Sequence, residues 1–345
     1  MDINIMTTGM VTPAGNDENT IWTNIIGNKT ATQLNKKISF TSVVSPGKAR
    51  KMSRFSQLGL CAAVSSVNNI GDAFAQMDRN RVGAIFTTGY GPLETNLEFA
   101  KQMIQDEPDF CSPTVFMNTV HNACLGNIAM ELKITGPSTM LLGSNHFMLS
   151  KLILEENKAD LILAGSIEEY NEELKESLEE NGLKSSDIGE ASIVFGLARA
   201  SKDRSDNIKL TEVFSFGLGF NPYEHITVDK VKESRLGDYL KVFFENNQVD
   251  AVIINDRTSA LGQFEYEFLS DRAAKCIIID KCNDFFGNVL GCDLGLKLLV
   301  AKLCLENNTI PPSLNTKQLQ YSCFGKVAVL STEITGNYSI AVLEK

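Results

Sequence analysis

The sequence is poor in the groups that do acid–base chemistry near neutral pH. Only three of its 345 residues are histidine, His121, His146 and His225, which narrows general catalysis at that pH. The eight cysteines, at 61, 111, 124, 276, 282, 292, 304 and 323, form no Cys-x-x-Cys pair. Most lie inside apolar runs and read as reduced core thiols rather than zinc ligands or disulfides, so no metal and no cofactor is expected. No run of about 18 apolar residues exists and the N-terminus lacks the plan of a secretory signal. The expectation is a cytoplasmic protein without a membrane partner. Positive charge is also short: the formal net charge is -10, which argues against a general nucleic-acid surface.

What is present is ordinary for a globular chain, 43% hydrophobic and 21% charged. The length favours two packed units or one large duplicated domain. Short β-rich runs alternate with helical spacing, the mark of an α/β protein with buried strands. Strands are expected at 3–9, 81–88, 138–143, 160–166 and 191–198, then at 208–216, 250–255, 276–280, 326–331 and 338–343. Helical spacing covers 51–69, 93–105, 119–132, 229–246 and 289–306. Each series opens on a strand followed by a Gly-containing turn and closes on a hairpin-like pair, "ADLILAGSIEE" with "ASIVFGLARA" and "KVAVLSTEI" with "NYSIAVLEK". This order predicts an internal duplication into halves 1–204 and 205–345, joined through the polar "SKDRSDN" at 201–207. Gly291 and Gly295 within the helical 289–306 imply close packing and a buried central helix. The acidic run 167–182 reads as a solvated helix.

The stretch "KITGPSTMLLGSNHFMLSKLILEENKADLILAGSIEE", 133–169, has the strand–turn–helix–strand layout of a nucleophile elbow. Its tip, however, is Gly143, Ser144, Asn145 and His146. Ser144 with His146 as base is one possibility, but residues two apart on a helix start do not face one another. A turn or N-cap serine is the plainer reading. His121 lies in a helical pattern and fits an interior or interface position; His225 falls in a loop, and Asp256–Arg257 reads as an ion pair or turn.

Six motifs in order resemble the β-ketoacyl-acyl-carrier-protein synthases. "IMTTGMVTPAGND" is similar to the N-terminal strand and turn of that family, "RKMSRFSQLGLCAA" to its first long helix, and "SPTVFMNTVHNACLGNIAMELKITGPS" with "LILAGSIEE" to the segments flanking its nucleophile. "VDAVIINDRTSALGQFEYE" resembles the histidine motif His-Gly-Thr-x-Thr with its downstream Glu at Glu267. "NDFFGNVLGCDLG" resembles the lysine–glycine–histidine motif, "IPPSLN" the proline motif behind it, and Gly336 remains of the C-terminal glycine loop.

The resemblance implies a thiolase-like α/β fold, duplicated halves in a five-layered αβαβα arrangement. It also places the family's catalytic cysteine at Asn145, its histidines at Asp256 and Asn288, and its lysine at Asn283 unless Lys281 serves. None of the first three can act as thiolate or imidazole, so no catalytic residue is expected. The chain is also short between Glu169 and Ala191, where the family carries an active-site loop. The implied role is a noncatalytic, chain-length-factor-like subunit. Its partners would be an active ketosynthase, in a heterodimer, and an acyl carrier protein, in polyketide, aryl-polyene or fatty-acid-type synthesis. Val115, Phe116, Met117 and His121 would line the acyl tunnel or the dimer interface, with plain core packing as the alternative. Lys48, Arg50, Lys51 and Arg54 would dock the acidic carrier, or form a solvated basic helix start. Two other functions stay open: a thioester hydrolase or acyltransferase using Ser144, and a stand-alone scaffold for carrier protein or acyl groups.

Overall fold

The computed structural model describes residues 2–30, 43, 45–105, 110–143, 146–180, 188–200, 208–220, 226–271, 276–333 and 335–345. The expected junction at 201–207, the 204/205 boundary, His225, Ser144 and Asn145 lie outside them.

All ten expected strands form, and they join one ten-stranded sheet. In chain order they are β1 (Ile3–Val11), β2 (Val82–Thr88), β3 (Ser138–Leu142), β4 (Leu161–Glu168), β5 (Ala191–Arg199) and β6 (Lys209–Gly217). β7 (Ala251–Ile253), β8 (Ile277–Ile279), β11 (Lys326–Thr332) and β12 (Asn337–Glu344) complete it, while β9 (Thr309–Ile310) and β10 (Tyr321–Ser322) make a separate small hairpin that the pattern did not announce. The order is β3-β2-β4-β5-β1-β6-β12-β11-β7-β8. Numbered within each half, both run 3-2-4-5-1, with the same parallel and antiparallel neighbours. The halves meet by a short antiparallel contact, Ile3 opposite Leu210 and Asn4 opposite Lys209.

Side-chain alternation along the strands produces the layers. On β2, Ile85 faces the central core while Ala84 and Phe86 face the outer core beneath helices Arg54–Ile70 and Asn122–Leu132. On β11, Val327 and Val329 face the centre while Ala328 and Leu330 face a third core under helices Leu236–Asn246 and Ala260–Asp271. Period-two alternation thus gives each sheet half two buried faces. Helices His146–Glu155 and Asp293–Glu306 contribute to the core between them, which makes five layers.

Local chemistry sets the helix limits. Ser53 caps helix Arg54–Ile70 by accepting from Ser56 N, and Gly71 ends it at φ 67. The expected single helix 229–246 is broken into Val228–Glu233 and Leu236–Asn246. Ser234 causes the break: its Oγ donates to Val231 O (2.6 Å) and accepts from Leu236 N (3.3 Å). The helix expected from 289 starts at Asp293, preceded by a 3-10 turn at Leu290–Cys292. Gly291 lies in that turn, where an added β-carbon would come within 2.8 Å of Gly89 N.

Helix Arg54–Ile70 is seated on β1 by Thr7 Oγ1 donating to Ser66 O (2.8 Å) and Asn69 Nδ2 donating to Thr8 O (2.9 Å). Gly9 sits at the crossing, and a β-carbon there would overlap Ala62 O and Ser66 N of the helix backbone. Gly9→Ala is therefore expected to destabilise the chain by about 1–3 kcal/mol, read as a lower urea midpoint at unchanged m-value; an unchanged midpoint contradicts the close crossing.

Candidate functional site

The carboxyl ends of the parallel strands in both halves converge, the usual place for a site in an open α/β sheet. β3 ends at Leu142, and Gly143 turns the chain at φ 91 into helix His146–Glu155. Thr87 Oγ1 donates to Gly143 O, and Gly143 N donates to Thr88 O (3.2 Å). A β-carbon on Gly143 would lie 2.7 Å from Glu333 Oε2, 3.1 Å from Thr335 Oγ1 and 3.4 Å from Asn337 Nδ2. The elbow therefore faces a nearly buried carboxylate from the loop after β11. An acidic side chain there supplies none of the positive field that a thiolate at an elbow requires. His146 is fully buried, with its ring centroid 4.1 Å from that of Phe147. It is part of the interior rather than of an open cleft.

Opposite the elbow, the turn after β7 carries the expected histidine position. The Asp256 carboxylate accepts from Thr258 N (2.8 Å), which closes the turn. Asn255, one residue earlier, is the buried group. Glu265 accepts from Asn255 N (2.7 Å), Asn255 Nδ2 (2.6 Å) and Tyr338 Oη (2.7 Å). Lys297 Nζ donates to Asn255 Oδ1 (2.8 Å) and Leu330 O (3.1 Å) and pairs with Asp293 Oδ2 (2.6 Å), which also accepts from Ser331 Oγ (2.7 Å). Burial pushes the Glu265 carboxyl up, opposed by the Tyr338 and Asn255 bonds and by Lys297. Glu267, expected as the acidic member of this motif, instead stands at the surface paired with Lys232 (3.0 Å). The buried acid is Glu265, because the helix begins at Ala260 and turns residue 265 inward and 267 outward.

The loop between Asn283 and Gly291 closes the site from below. Asn288 Oδ1 accepts from Leu290 N (3.1 Å), and its carbonyl accepts from Gly189 N (3.0 Å). Asn283 opens the short helix Asn283–Phe286 and Lys281 is half-buried beside it. Neither replaces Lys297, which sequence reasoning missed. A lysine in the otherwise apolar "LGLKLLVAKLCLE" was its visible signal, since an ammonium in a fully buried helix needs internal partners.

Acids also fill the floor of the N-terminal half. Glu168 accepts from Thr88 Oγ1 (3.2 Å) and from Gly89 N. Glu169 accepts from Glu94 N (2.9 Å), and Glu190 binds the Arg54 guanidinium through both oxygens. Burial raises Glu168 to about 7, against the bonds from Gly89 and Thr88, and raises Glu169 to about 7 in the same way.

The remaining expected residues separate. Arg54 is spent on Glu190 rather than presented for docking, and Lys48 pairs with Glu131 (2.9 Å) at the surface, beside exposed Arg50 and Lys51. Phe116 and Met117 are 58% and 63% exposed and Val115 is half-buried, so core packing does not describe the first two. The Phe116 ring lies tilted against that of Phe99, centroids 5.3 Å apart, and His121 packs on Gly91. Met103, Ile104, Phe110 and Val120 are exposed on the same helical arm, and Leu142 is exposed on the edge strand β3. All described cysteines are free, and no group able to hold a metal and no helix long and apolar enough to cross a membrane occurs among the described residues.

Residues 39–192 match the model of the beta-ketoacyl synthase N-terminal domain. A 3-oxoacyl-[acyl-carrier-protein] synthase 2 of Staphylococcus aureus (strain MRSA252) is 25% identical over 195 residues, 48% of this chain and 46% of that protein. The match thus spans about half the length of that relative. The ishigamide ketosynthase/chain length factor superposes with a TM-score of 0.77 at 14% identity, over 100% of this chain and 99% of the other. A type II PKS acyl-carrier protein in complex with its ketosynthase bound to the hexaketide gives 0.78 at 16% identity, over 99% of each chain.

Lys297→Met removes the cation between Asp293 and Glu265 and is expected to cost about 3–5 kcal/mol; a loss below 1 kcal/mol in chemical unfolding contradicts the network. The two raised acids set a pH dependence. Their ordinary value is 4.5 and their folded value about 7, so the folded chain holds protons that the unfolded chain has released between those limits. Their contribution to stability is full below 4.5 and is lost as pH rises through about 7. Unfolding midpoints should fall across that window and fall less in Glu169→Gln; a midpoint that rises with pH and is unaltered in the variant contradicts it.

Proposed function

We propose that this chain, a ketosynthase-family protein of thiolase fold, is a noncatalytic ketosynthase-like subunit that pairs with an active β-ketoacyl-ACP synthase. In this reading it acts as a chain-length factor in polyketide, aryl-polyene or fatty-acid-type synthesis and helps to shape the acyl tunnel. The observation that carries it is the elbow itself, which turns at Gly143 against the buried Glu333 carboxylate and bears no thiol in its sequence.

Condensation needs an anionic sulfur and then donors that steady an enolate. Asn145 cannot ionise. Whether the first histidine position is assigned to Asp256 or to its neighbour Asn255, the first supplies negative charge, and the second is already bonded to Glu265 and Lys297. Asn288 is occupied by Leu290 N. Residues 1–204 and 205–345 are the two halves of this subunit, and its usefulness comes from shape and partnership. The exposed arm with Phe116 and Met117, and the uncovered edge of β3 with Leu142, fit an apolar interface with the active subunit. Lys48, Arg50 and Lys51 remain as a steering surface for an acyl carrier protein.

Co-expression with an active ketosynthase is expected to give copurification in a fixed ratio. Leu142→Lys combined with Phe116→Lys should break it without a matching loss of thermal stability. The chain alone and its Asn145→Cys variant should release no carbon dioxide from malonyl-carrier protein above background. Condensation by the unaided chain, or indifference of the pairing to the double substitution, overturns the reading.

A further inference from the structure

The sheet is open along its far edge. β8 is the last strand on that side and pairs only with β7. Ile277 N donates to Asp250 O (2.8 Å) and Ile279 O accepts from Ile254 N (3.0 Å), both toward β7, and Ile278 stands opposite Val252 in parallel register. The alternation of a parallel ladder therefore turns the amide and carbonyl of Ile278, and the amide of Asp280, to the free side. At Asp280 that side is already filled. Its N donates to Leu314 O (3.2 Å) and its carboxylate accepts from Thr316 N (2.8 Å), so the segment 314–316 lies on the free edge there. The segment then turns away: Gln318 N donates to Asn315 O (3.0 Å), Leu319 N donates to Asn315 Oδ1 (3.1 Å), and Gln318 takes φ 52. The amide and carbonyl of Ile278, two residues upstream of Asp280, are left without a partner among the described residues.

A recess of about 250 Å³ follows this edge from Cys276 to Asp280. Helix Ala260–Asp271 supplies Tyr266 to its lining, and the segment that leaves β8 supplies Thr316, Lys317 and Tyr321. Arg257, outside the lining, ties these walls together. Its guanidinium carbon lies 3.7 Å from the Tyr266 ring centroid, and Nη1 donates to Asp280 Oδ2 (3.0 Å) and Thr316 Oγ1 (3.3 Å). The width of the recess is thus set in advance, which lowers the entropy lost on binding. The same contacts neutralise Asp280, whose side chain is almost wholly buried. Lys317 is exposed and makes no ion pair among the described residues, so the uncompensated charge of the rim is positive.

We propose that this recess takes a short, extended, acidic segment of another polypeptide as an added strand on β8. The main chain of that segment offers a carbonyl to Ile278 N and an amide to Ile278 O, and an acidic side chain beside them meets Lys317. A donor and an acceptor from one residue, facing the same way, are matched together by a second strand. A simple anion or an apolar chain leaves one or both unmet, and an unmet main-chain group at a closed interface is costly. An uncovered strand edge is also the usual template for pairing with another chain. The three residues of β8 limit the ladder to this one anchor, so the recess and Lys317 supply the selection. The proposal is independent of the elbow and of pairing with an active ketosynthase.

The test is a titration of the full chain, labelled with ¹⁵N-isoleucine and followed by NMR, with acetyl-Glu-Val-Thr-Val-Glu-amide. A saturable shift of the Ile278 amide is expected. Binding should be about tenfold weaker or worse when every amide of the peptide's five residues is N-methylated, the loss of a main-chain hydrogen bond at the edge. The glutamine peptide, acetyl-Gln-Val-Thr-Val-Gln-amide, should bind about threefold more weakly than the glutamate peptide. In Lys317→Gln, a surface change that leaves Arg257 and Asp280 paired, the two peptides should bind equally. The proposal is overturned if the Ile278 amide shows no saturable shift, if the N-methylated peptide binds as well, or if the unsubstituted chain does not distinguish glutamate from glutamine. Shifts of the same signal that follow the concentration of the chain without peptide assign the edge to a second copy, and overturn it too.

Discussion

The structure depends on a helix that is buried on every side. From Asp293 to Leu305 no residue of helix Asp293–Glu306 reaches solvent appreciably. Such a helix supplies the central layer only if each polar group it carries finds a partner inside, because an unpaired charge there costs several kcal/mol. Lys297 and Asp293 meet that condition by tying the helix to Asn255, Leu330 and Ser331, and Asn255 passes the constraint on to Glu265 and Tyr338. One cation thereby fixes the turn after β7, the end of β11, the start of β12 and helix Ala260–Asp271 against one another.

This constraint shapes the chemistry at the strand ends. A side chain that has to present a proton or a lone pair to a substrate cannot also saturate its hydrogen bonds inside the core. Asn255 accepts from Lys297 and donates to Glu265, so its amide is committed before any ligand arrives. On the other side of the central core, Glu168, Glu169 and Glu190 hold the Thr88–Glu94 turn and Arg54. Glu333 adds a further carboxylate at the elbow. Polar groups that order the backbone and polar groups that perform reactions compete for the same few positions. In this chain the ordering groups hold most of them.

The fold was readable in the sequence because its strands are buried on both faces, which produces apolar runs such as "LILAGSI" at 161–167 and "VAVL" at 327–330, bounded by turn residues. The repeated order and the hairpin-like closing pairs were readable for the same reason. The buried polar pair in the second half was not. Spacing from Thr258 pointed to Asp256 and Glu267, whereas the buried hydrogen-bonded pair at this place is Asn255 and Glu265. The ion pair of Arg54 was hidden for a different reason. Sequence displays charge but not its counter-charge, and Glu190 lies 136 positions from Arg54.

The elbow has a structural role of its own, whatever stands at its tip. Gly143 adopts φ 91, which only glycine takes readily, and its carbonyl and amide are bonded to Thr87 and Thr88 at the end of β2. Relaxing the turn would unseat helix His146–Glu155, with Phe147 and Leu154 in the central core, and would leave β3 without a fixed end. β3 is the outermost strand on its side, so its position determines the shape of the exposed edge and of the apolar arm beside it. The turn is therefore constrained by packing independently of the chemistry of the residue at its tip. The same argument predicts which positions tolerate change: those with little bearing on packing, and not those that fix the backbone, such as Gly143, Glu168 and Gly291.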